Sequence, residues 1–214
     1  MKNYKKNLEL LSKNYVYSKE MEHDACGVGV IVSTEGKKSR EIVEHGIEAL
    51  KAVWHRGAVD ADGKTGDGAG IHVEIPKDFF IEKIEVTGHD YDNAEICVGM
   101  IFLPRNDYSA QESCKTIVES ELTKNNFSIY GWRQVPVNPK ILGQKALQTM
   151  PEIIQVLFKS NDQNLLDKNL ERKIYETRKK IEKKAFQLSL NNFYICSISS
   201  KSIIYKGLYL AEAI

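Results

Sequence analysis

Glu22-His23-Asp24-Ala25-Cys26-Gly27-Val28-Gly29-Val30-Ile31-Val32 is the stretch from which the chain is best read. Its polar lead gives way at Cys26 to an unbroken apolar-and-glycine run. That pattern predicts a β-strand over 26–32, closed by the turn-forming Thr34-Glu35-Gly36. A cysteine at the head of a strand, followed by Gly27 and Gly29, has no bulky neighbours to crowd a ligand. Two roles fit it. On composition alone, Cys26 packs as a small core hydrophobe. If cleavage after Ala25 makes it the first residue, thiol and α-amino group sit on one residue. Such an amine titrates at about pH 8 and is suited to act as a general base, as in threonine nucleophiles activated by their own N-terminus.

Upstream lies a polar extension, Met1 to Ala25. Its lysines are interrupted by Asn, Tyr, Leu and Glu, and no apolar signal-peptide core follows them. Downstream, Ser39 is placed to cap a helix whose apolar stripe is Ile42, Val43, Ile47, Leu50, Val53 and Trp54, with Gly57 as its stop. A glycine-dense loop, Gly63 to Gly70, then leads into a strand over Ile71–Ile75, ended by Pro76. Strands are further predicted over Glu95–Leu103, Gly131–Val137 and Glu152–Lys159. Helices are predicted over Tyr108–Lys124, around Leu142–Thr149 and over Leu165–Leu190. The last carries Leu166, Leu170, Ile174, Ile181 and Leu188 as its buried edge, and its charged run 168–184 as a solvated face with pairs such as Glu171–Tyr175. Phe193–Ser199 and Ser202–Leu208 read as two strands joined by a tight turn at Ser200-Lys201. Hairpin-paired strands among long helices predict a single α+β layered domain behind the extension.

Composition sets the outer bounds. The 214 residues allow burial of roughly 70% of the unfolded surface, so no disulfide or metal is needed to hold the fold. Thirty basic residues against 29 acidic ones leave a net charge of +1, which does not suit a surface built to neutralise nucleic-acid phosphates. No apolar stretch approaches the roughly 20 residues of a membrane span. Cys26, Cys97, Cys114 and Cys196 form no C-x-x-C pair and fit a reducing cytoplasm. The histidines lack ligand spacing, and no metal is expected. The Thr65–Gly70 loop lacks the Lys-Ser/Thr ending of a phosphate-binding loop and precedes a strand. It is expected to pack through its backbone beside the nucleophile. Trp132 and Arg133 are expected to pack in the core and not to stack on bases.

Several motifs then line up in order. Glu22 to Gly29, His55-Arg56-Gly57-Ala58 and Thr65-Gly66-Asp67-Gly68-Ala69-Gly70-Ile71 resemble successive motifs of the glutamate synthase large subunit, at the start of its N-terminal class II glutamine amidotransferase domain. Gly99 to Pro104, Gly131 to Val137, Phe193-Tyr194-Ile195 with Ser197 to Ser200, and Tyr205-Lys206-Gly207 resemble later ones. The resemblance covers essentially the whole chain. It implies a four-layer α/β/β/α sandwich of the N-terminal-nucleophile hydrolase type. It also implies that Met1–Ala25 is a removable propeptide and that Cys26 attacks the side-chain amide of glutamine, forming a glutamyl thioester and releasing ammonia. Arg56 and Gly27 are implied near the nucleophile or substrate. No cofactor is implied in this chain; FMN and an iron–sulfur cluster belong to the other domains, where ammonia meets 2-oxoglutarate. Those domains are the implied partners. NADPH, NADH and ferredoxin forms share this domain, so the electron donor is left open.

Two further family segments, Arg-Phe-Ser-Thr-Asn and His-Asn-Gly-Glu-Ile-Asn, occur nowhere in the 214 residues. The resemblance assigns the substrate-carboxylate clamp to the first and the oxyanion hole to the second. Losing one oxyanion donor costs about 10²–10³ in rate. The expectation is therefore that 26–214 is the first part of such a domain, incomplete at its C-terminal end and inactive alone. Three alternatives stand beside it: a non-catalytic partner-binding module, the remnant of a degenerate gene, or a small amidohydrolase with a substitute oxyanion hole.

Overall fold

The computed structural model describes residues 2–14, 27–53 and 57–214. Central to it is a strand that must be buried on both faces, because Cys97-Val98-Gly99-Met100-Ile101-Phe102-Leu103 offers apolar side chains to each side. This strand, β2 (Cys97–Leu103), lies inside a four-stranded antiparallel sheet with β3 (Phe127–Gln134), β4 (Glu152–Ser160) and β5 (Tyr194–Ser199), in the order β3-β4-β2-β5. Its register sets Cys97 opposite Phe158 and Ile101 opposite Ile154. A second antiparallel sheet has two strands, β1 (Ala69–Glu74) and β6 (Ser202–Gly207), with Ile71 opposite Tyr205 and Val73 opposite Ile203.

The two faces of the larger sheet make two cores. On one face Cys97, Ile101, Val156, Phe158 and Ile195 pack against α4 (Tyr108–Lys124) and α6 (Asp167–Gln187) through Cys114, Val118, Leu122, Leu170, Ile174 and Ile181. On the other, Val98, Met100, Leu157 and Cys196 meet Ile203 of the second sheet and Phe80 and Ile84 of α3 (Lys77–Val86). The remaining helices are α1 (Lys2–Asn14), α2 (Arg40–Ala52) and α5 (Gln144–Thr149). Ser39 caps α2 by accepting from Ile42 N at 3.3 Å, and Asp107 caps α4 by accepting from Ala110 N at 2.9 Å. The helix over Tyr108–Lys124 has the bounds expected from the sequence.

Four expectations are corrected. Residues 27–32 form no strand, and Val28, Val30 and Val32 are 89, 77 and 70% exposed. An apolar run becomes a strand only where a ladder partner and a core face await it, and the β1–β6 sheet takes no third strand among the described residues. Next, β5 and β6 are no hairpin: β5 pairs with β2 and β6 with β1, so the Ser200-Lys201 turn carries the chain from one sheet to the other. The turn's amides find side chains in place of ladder carbonyls. Ser199 Oγ accepts from Lys201 N at 2.9 Å and Ser202 N at 3.3 Å, while Ser200 N donates to Glu171 Oε1 at 2.7 Å. Glu171, read as part of a solvated face, also accepts from the hydroxyls of Ser199 and Ser200 at 3.0 and 2.8 Å. Finally, α6 starts at Asp167 and ends at Gln187, so Leu166 and Leu188 flank it and are 57 and 62% exposed, leaving Leu170, Ile174, Thr177, Ile181 and Ala185 as the buried stripe. Helix α3 had no sequence expectation, because Pro76 reads as a strand stop while it also sits at that helix's N-cap.

Candidate active site

Of the three residues singled out for the site, Gly27 is exposed, with open space where a side chain would stand. Cys26 and Arg56 lie outside the described residues, as do Trp54, His55 and residues 15–25 of the proposed propeptide. The described residues resume at Gly57. There the chain folds into a small hairpin. Val59 and Gly66 form an antiparallel bridge, and Asp60 N donates to Thr65 O at 2.9 Å. Across its open end, Ala58 N donates to Asp67 Oδ2 at 2.8 Å.

The tip of this hairpin is tied from within. Asp62 accepts from Lys64 N at 2.9 Å, from Thr65 N at 2.7 Å and from Thr65 Oγ1 at 2.6 Å. The Thr65 hydroxyl, followed by the Thr65 and Lys64 amides, holds the Asp62 carboxyl well below the usual carboxylate range. Thr65 is only 7% exposed, since α5 closes over it. Ala146 N donates to Thr65 Oγ1 at 3.4 Å, and Lys145 pairs with Asp60 at 2.6 Å. The base of the hairpin lies against the end of the chain, where a Cβ on Gly66 would sit 2.8 Å from Tyr209 O. Glycine is needed there for backbone to approach backbone.

The Lys64 and Thr65 amides and the Thr65 hydroxyl are therefore taken by the Asp62 carboxylate and the Gly63 amide by the Asp60 carbonyl, donors that a phosphate cradle would keep for its ligand. Sequence reading did not single out Asp62, Asp67 or Gly143. The available signal was the Asp62-Gly63-Lys64-Thr65 spacing, in which an Asp side chain reaches amides two and three residues on. Trp132 and Arg133 are half-buried packing residues. Trp132 Nε1 donates to Glu119 at 2.6 Å, and Arg133 donates to the fully buried Gln155 at 2.8 Å with its guanidinium 5.1 Å from the Phe79 ring. Among the described residues no group of three His, Cys, Asp or Glu is placed to hold a metal ion, and no helix is long and apolar enough to cross a membrane.

Two antiparallel sheets with helices packed on them, and a glycine-rich hairpin backed against the last strand, define a layered α+β protein. The chain belongs to the class-II glutamine amidotransferases, which it matches over residues 26–214. It is 52% identical over 209 residues to the glutamate synthase [NADPH] large chain of Azospirillum brasilense, covering 98% of this chain and 14% of that one. It is 39% identical over 195 residues to ferredoxin-dependent glutamate synthase 1, chloroplastic/mitochondrial, of Arabidopsis thaliana, covering 90% and 12%. Against the ferredoxin-dependent glutamate synthase of Antithamnion sp. it is 39% identical over 198 residues, covering 89% and 13%. The chain thus spans 12–14% of the length of these relatives.

Proposed function

We propose that residues 26–214 are the first part of the glutamine-hydrolysing domain of a glutamate synthase, that Met1–Ala25 is a removable leader, and that Cys26 is the nucleophile. The observation that carries this reading is the family match, which opens on Cys26. The Cys26 sulfur adds to the side-chain carbonyl carbon of glutamine and its proton passes to the α-amino group. The carbon–nitrogen bond breaks, and the departing nitrogen takes that proton and leaves as ammonia. Water then cleaves the thioester, releasing glutamate and restoring the thiol. Arg56 stands near the sulfur, where a guanidinium favours the thiolate, and Gly27 leaves room for the substrate. The ammonia is used elsewhere in the longer protein, in domains carrying FMN and an iron–sulfur cluster, to aminate 2-oxoglutarate in the cytoplasm. The fold this reading implies is a four-layer sandwich, in which α4 with α6, the four-stranded sheet and the two-stranded sheet would be three layers and α2, which lies beside β1, the fourth.

The test, made on a chain extended through the Arg-Phe-Ser-Thr-Asn and His-Asn-Gly-Glu-Ile-Asn segments because residues 26–214 alone are expected to be inactive, is covalent labelling with a mechanism-based glutamine analogue, alongside ammonia release from glutamine. Modification at Cys26, lost in Cys26→Ala, is expected; labelling elsewhere, or ammonia release that survives Cys26→Ala, overturns the assignment. Mass spectrometry of the mature N-terminus tests the leader independently, since an intact Met1 on an active protein contradicts cleavage. The exposure of Val28, Val30 and Val32 favours a second reading, a non-catalytic module that docks on a partner. An unlabelled Cys26 in a folded protein would select it.

A further inference from the structure

We propose that Arg133, Gln155 and Tyr205 form a binding site for one carboxylate group, set where the four-stranded sheet meets the two-stranded one. Arg133 stands opposite Gln155 in the β3–β4 register, and Tyr205 reaches the same side-chain amide from β6. Arg133 Nη1 donates to Gln155 Oε1 at 2.8 Å, and Gln155 Nε2 donates to the Tyr205 hydroxyl at 3.4 Å. The groups themselves dictate these directions. A guanidinium only donates, so the amide atom facing Arg133 is the oxygen and the nitrogen faces Tyr205. The phenolic oxygen therefore accepts, and its own proton is left to give.

Every capacity left over is a donor. Arg133 has spent one of its five N–H bonds, Gln155 keeps a second amide hydrogen and Tyr205 keeps its hydroxyl proton. None of these meets an acceptor side chain among the described residues, although Gln155 is fully buried, where polar groups are as a rule paired. Charge points the same way. Among the described residues two arginines are half-buried, Arg133 and Arg178. Arg178 meets Glu182 at 2.6 Å, whereas Arg133 meets no carboxylate. Its guanidinium lies 5.1 Å from the Phe79 ring centre, and Lys83 Nζ lies 4.9 Å from the same ring. Lys83 has Glu82 at 3.8 Å, so the unopposed charge is that of Arg133. Glu152 accepts from Gln134 and alternates to the face of β4 opposite Gln155. One unopposed positive charge among neutral donors matches a singly charged carboxylate, which a guanidinium grips through two parallel bonds. Arg133 and Tyr205 are only partly covered, which leaves the site open to solvent.

The carboxylate comes from a small molecule or from an Asp or Glu elsewhere in the longer protein, and one experiment separates the two. Phenylglyoxal modifies arginines at pH 7 and constant ionic strength. Per-residue mass spectrometry follows Arg133, with the exposed Arg40, Arg105 and Arg172 as references. In the 214-residue chain, acetate is expected to slow modification of Arg133 and to leave the references unchanged. Acetamide is expected to do nothing, and inorganic phosphate to protect less well than acetate. Tyr205→Phe keeps the ring and drops the O–H donor, and is expected to raise the acetate needed for half-protection by about tenfold. Where the buried Cys97, Cys114 and Cys196 react and so report that this variant has unfolded, the wild-type measurements decide alone. Protection of Arg133 no greater than that of the references, equal protection by acetamide, stronger protection by phosphate, an Arg133 inert without acetate in this chain, or an unmoved half-protection in folded Tyr205→Phe overturns the proposal. The last comparison rests on the reading of this chain as part of a longer protein. There, an Arg133 already slow without acetate identifies a side chain as the occupant, and one that is fast until acetate is added identifies a small carboxylate.

Discussion

Gly143 has no room for a methyl group. A Cβ there would fall on the Asp62 carboxylate and on the hydroxyl and amide of Thr65, none of which can withdraw without breaking the hydrogen bonds that hold the hairpin tip. Gly143→Ala is expected to destabilise the protein by about 1–3 kcal/mol, with a Tm lowered by roughly 2–4 °C per kcal/mol for a chain of this size. A thermal melt that superimposes on wild type would contradict the contact. This glycine was illegible in the sequence because its partners lie some 80 residues earlier, and an isolated glycine near a helix start is unremarkable. Gly66 was legible. It sits in a run dense with glycine, and such runs mark places where backbones approach. What the run does not say is which backbone, and the answer is the chain's own end at Tyr209.

At the scale of elements, α6 is held to the β5–β6 turn by two carboxylates, Asp167 pairing with Lys201 at 2.9 Å on the surface and Glu171 taking the buried bonds. Glu171 accepts from the Ser200 amide and from two hydroxyls, and Ser200 is only 3% exposed. Removing the acceptor leaves a buried donor unsatisfied, a loss of about 1–3 kcal/mol. Glu171→Ala is therefore expected to lower the denaturation midpoint in urea. Glu171→Gln, which keeps one acceptor oxygen, is expected to recover part of it, and equal midpoints for Ala and wild type would sink the assignment. Helical periodicity exposed most of α6 to sequence reading but placed Glu171 on a solvated face. A hydrogen bond to a turn 29 residues away leaves no trace in a window of helical length. The 26–32 run failed for the complementary reason. Local pattern speaks for a strand, yet strands need neighbours, and none is present among the described residues.

For the whole molecule, the sheets were legible as strands but not as partners. Nothing local distinguishes a hairpin at Ser200-Lys201 from a crossing between sheets, because the choice lies in β1 and β2, the partners that β6 and β5 find. Cys26 and Arg56, proposed from motifs in order, lie outside the described residues, and the hydrogen bonds that tie the 58–67 hairpin left no mark in the local pattern. Acid stability belongs to this scale too. Asp92 joins the segment before β2 to β3 and β4: Lys159, and then the Tyr130 hydroxyl, lower its pKa to about 2. An unfolded aspartate titrates at about 3.9. Because the folded value is the lower, its contribution is complete above about pH 4 and is lost as pH falls toward 2. The pairings of Asp60, Glu121 and Asp167 with lysines act in the same direction. Urea midpoints are expected to hold steady from pH 5 to 7 and to fall below pH 4, less steeply in Asp92→Asn. A flat profile down to pH 2.5 would refute this.

The pairing of β1 with β6 joins segments far apart in the sequence, His72 meeting Ser202 across 130 residues. On a ribosome adding roughly 5–20 residues each second, β1 is made on the order of 10 s before its mate. Through that interval its edge is open, as are the valines of 28–32. The fold thus carries a built-in waiting time during synthesis, and it is in those seconds that a nascent chain of this protein most needs a chaperone.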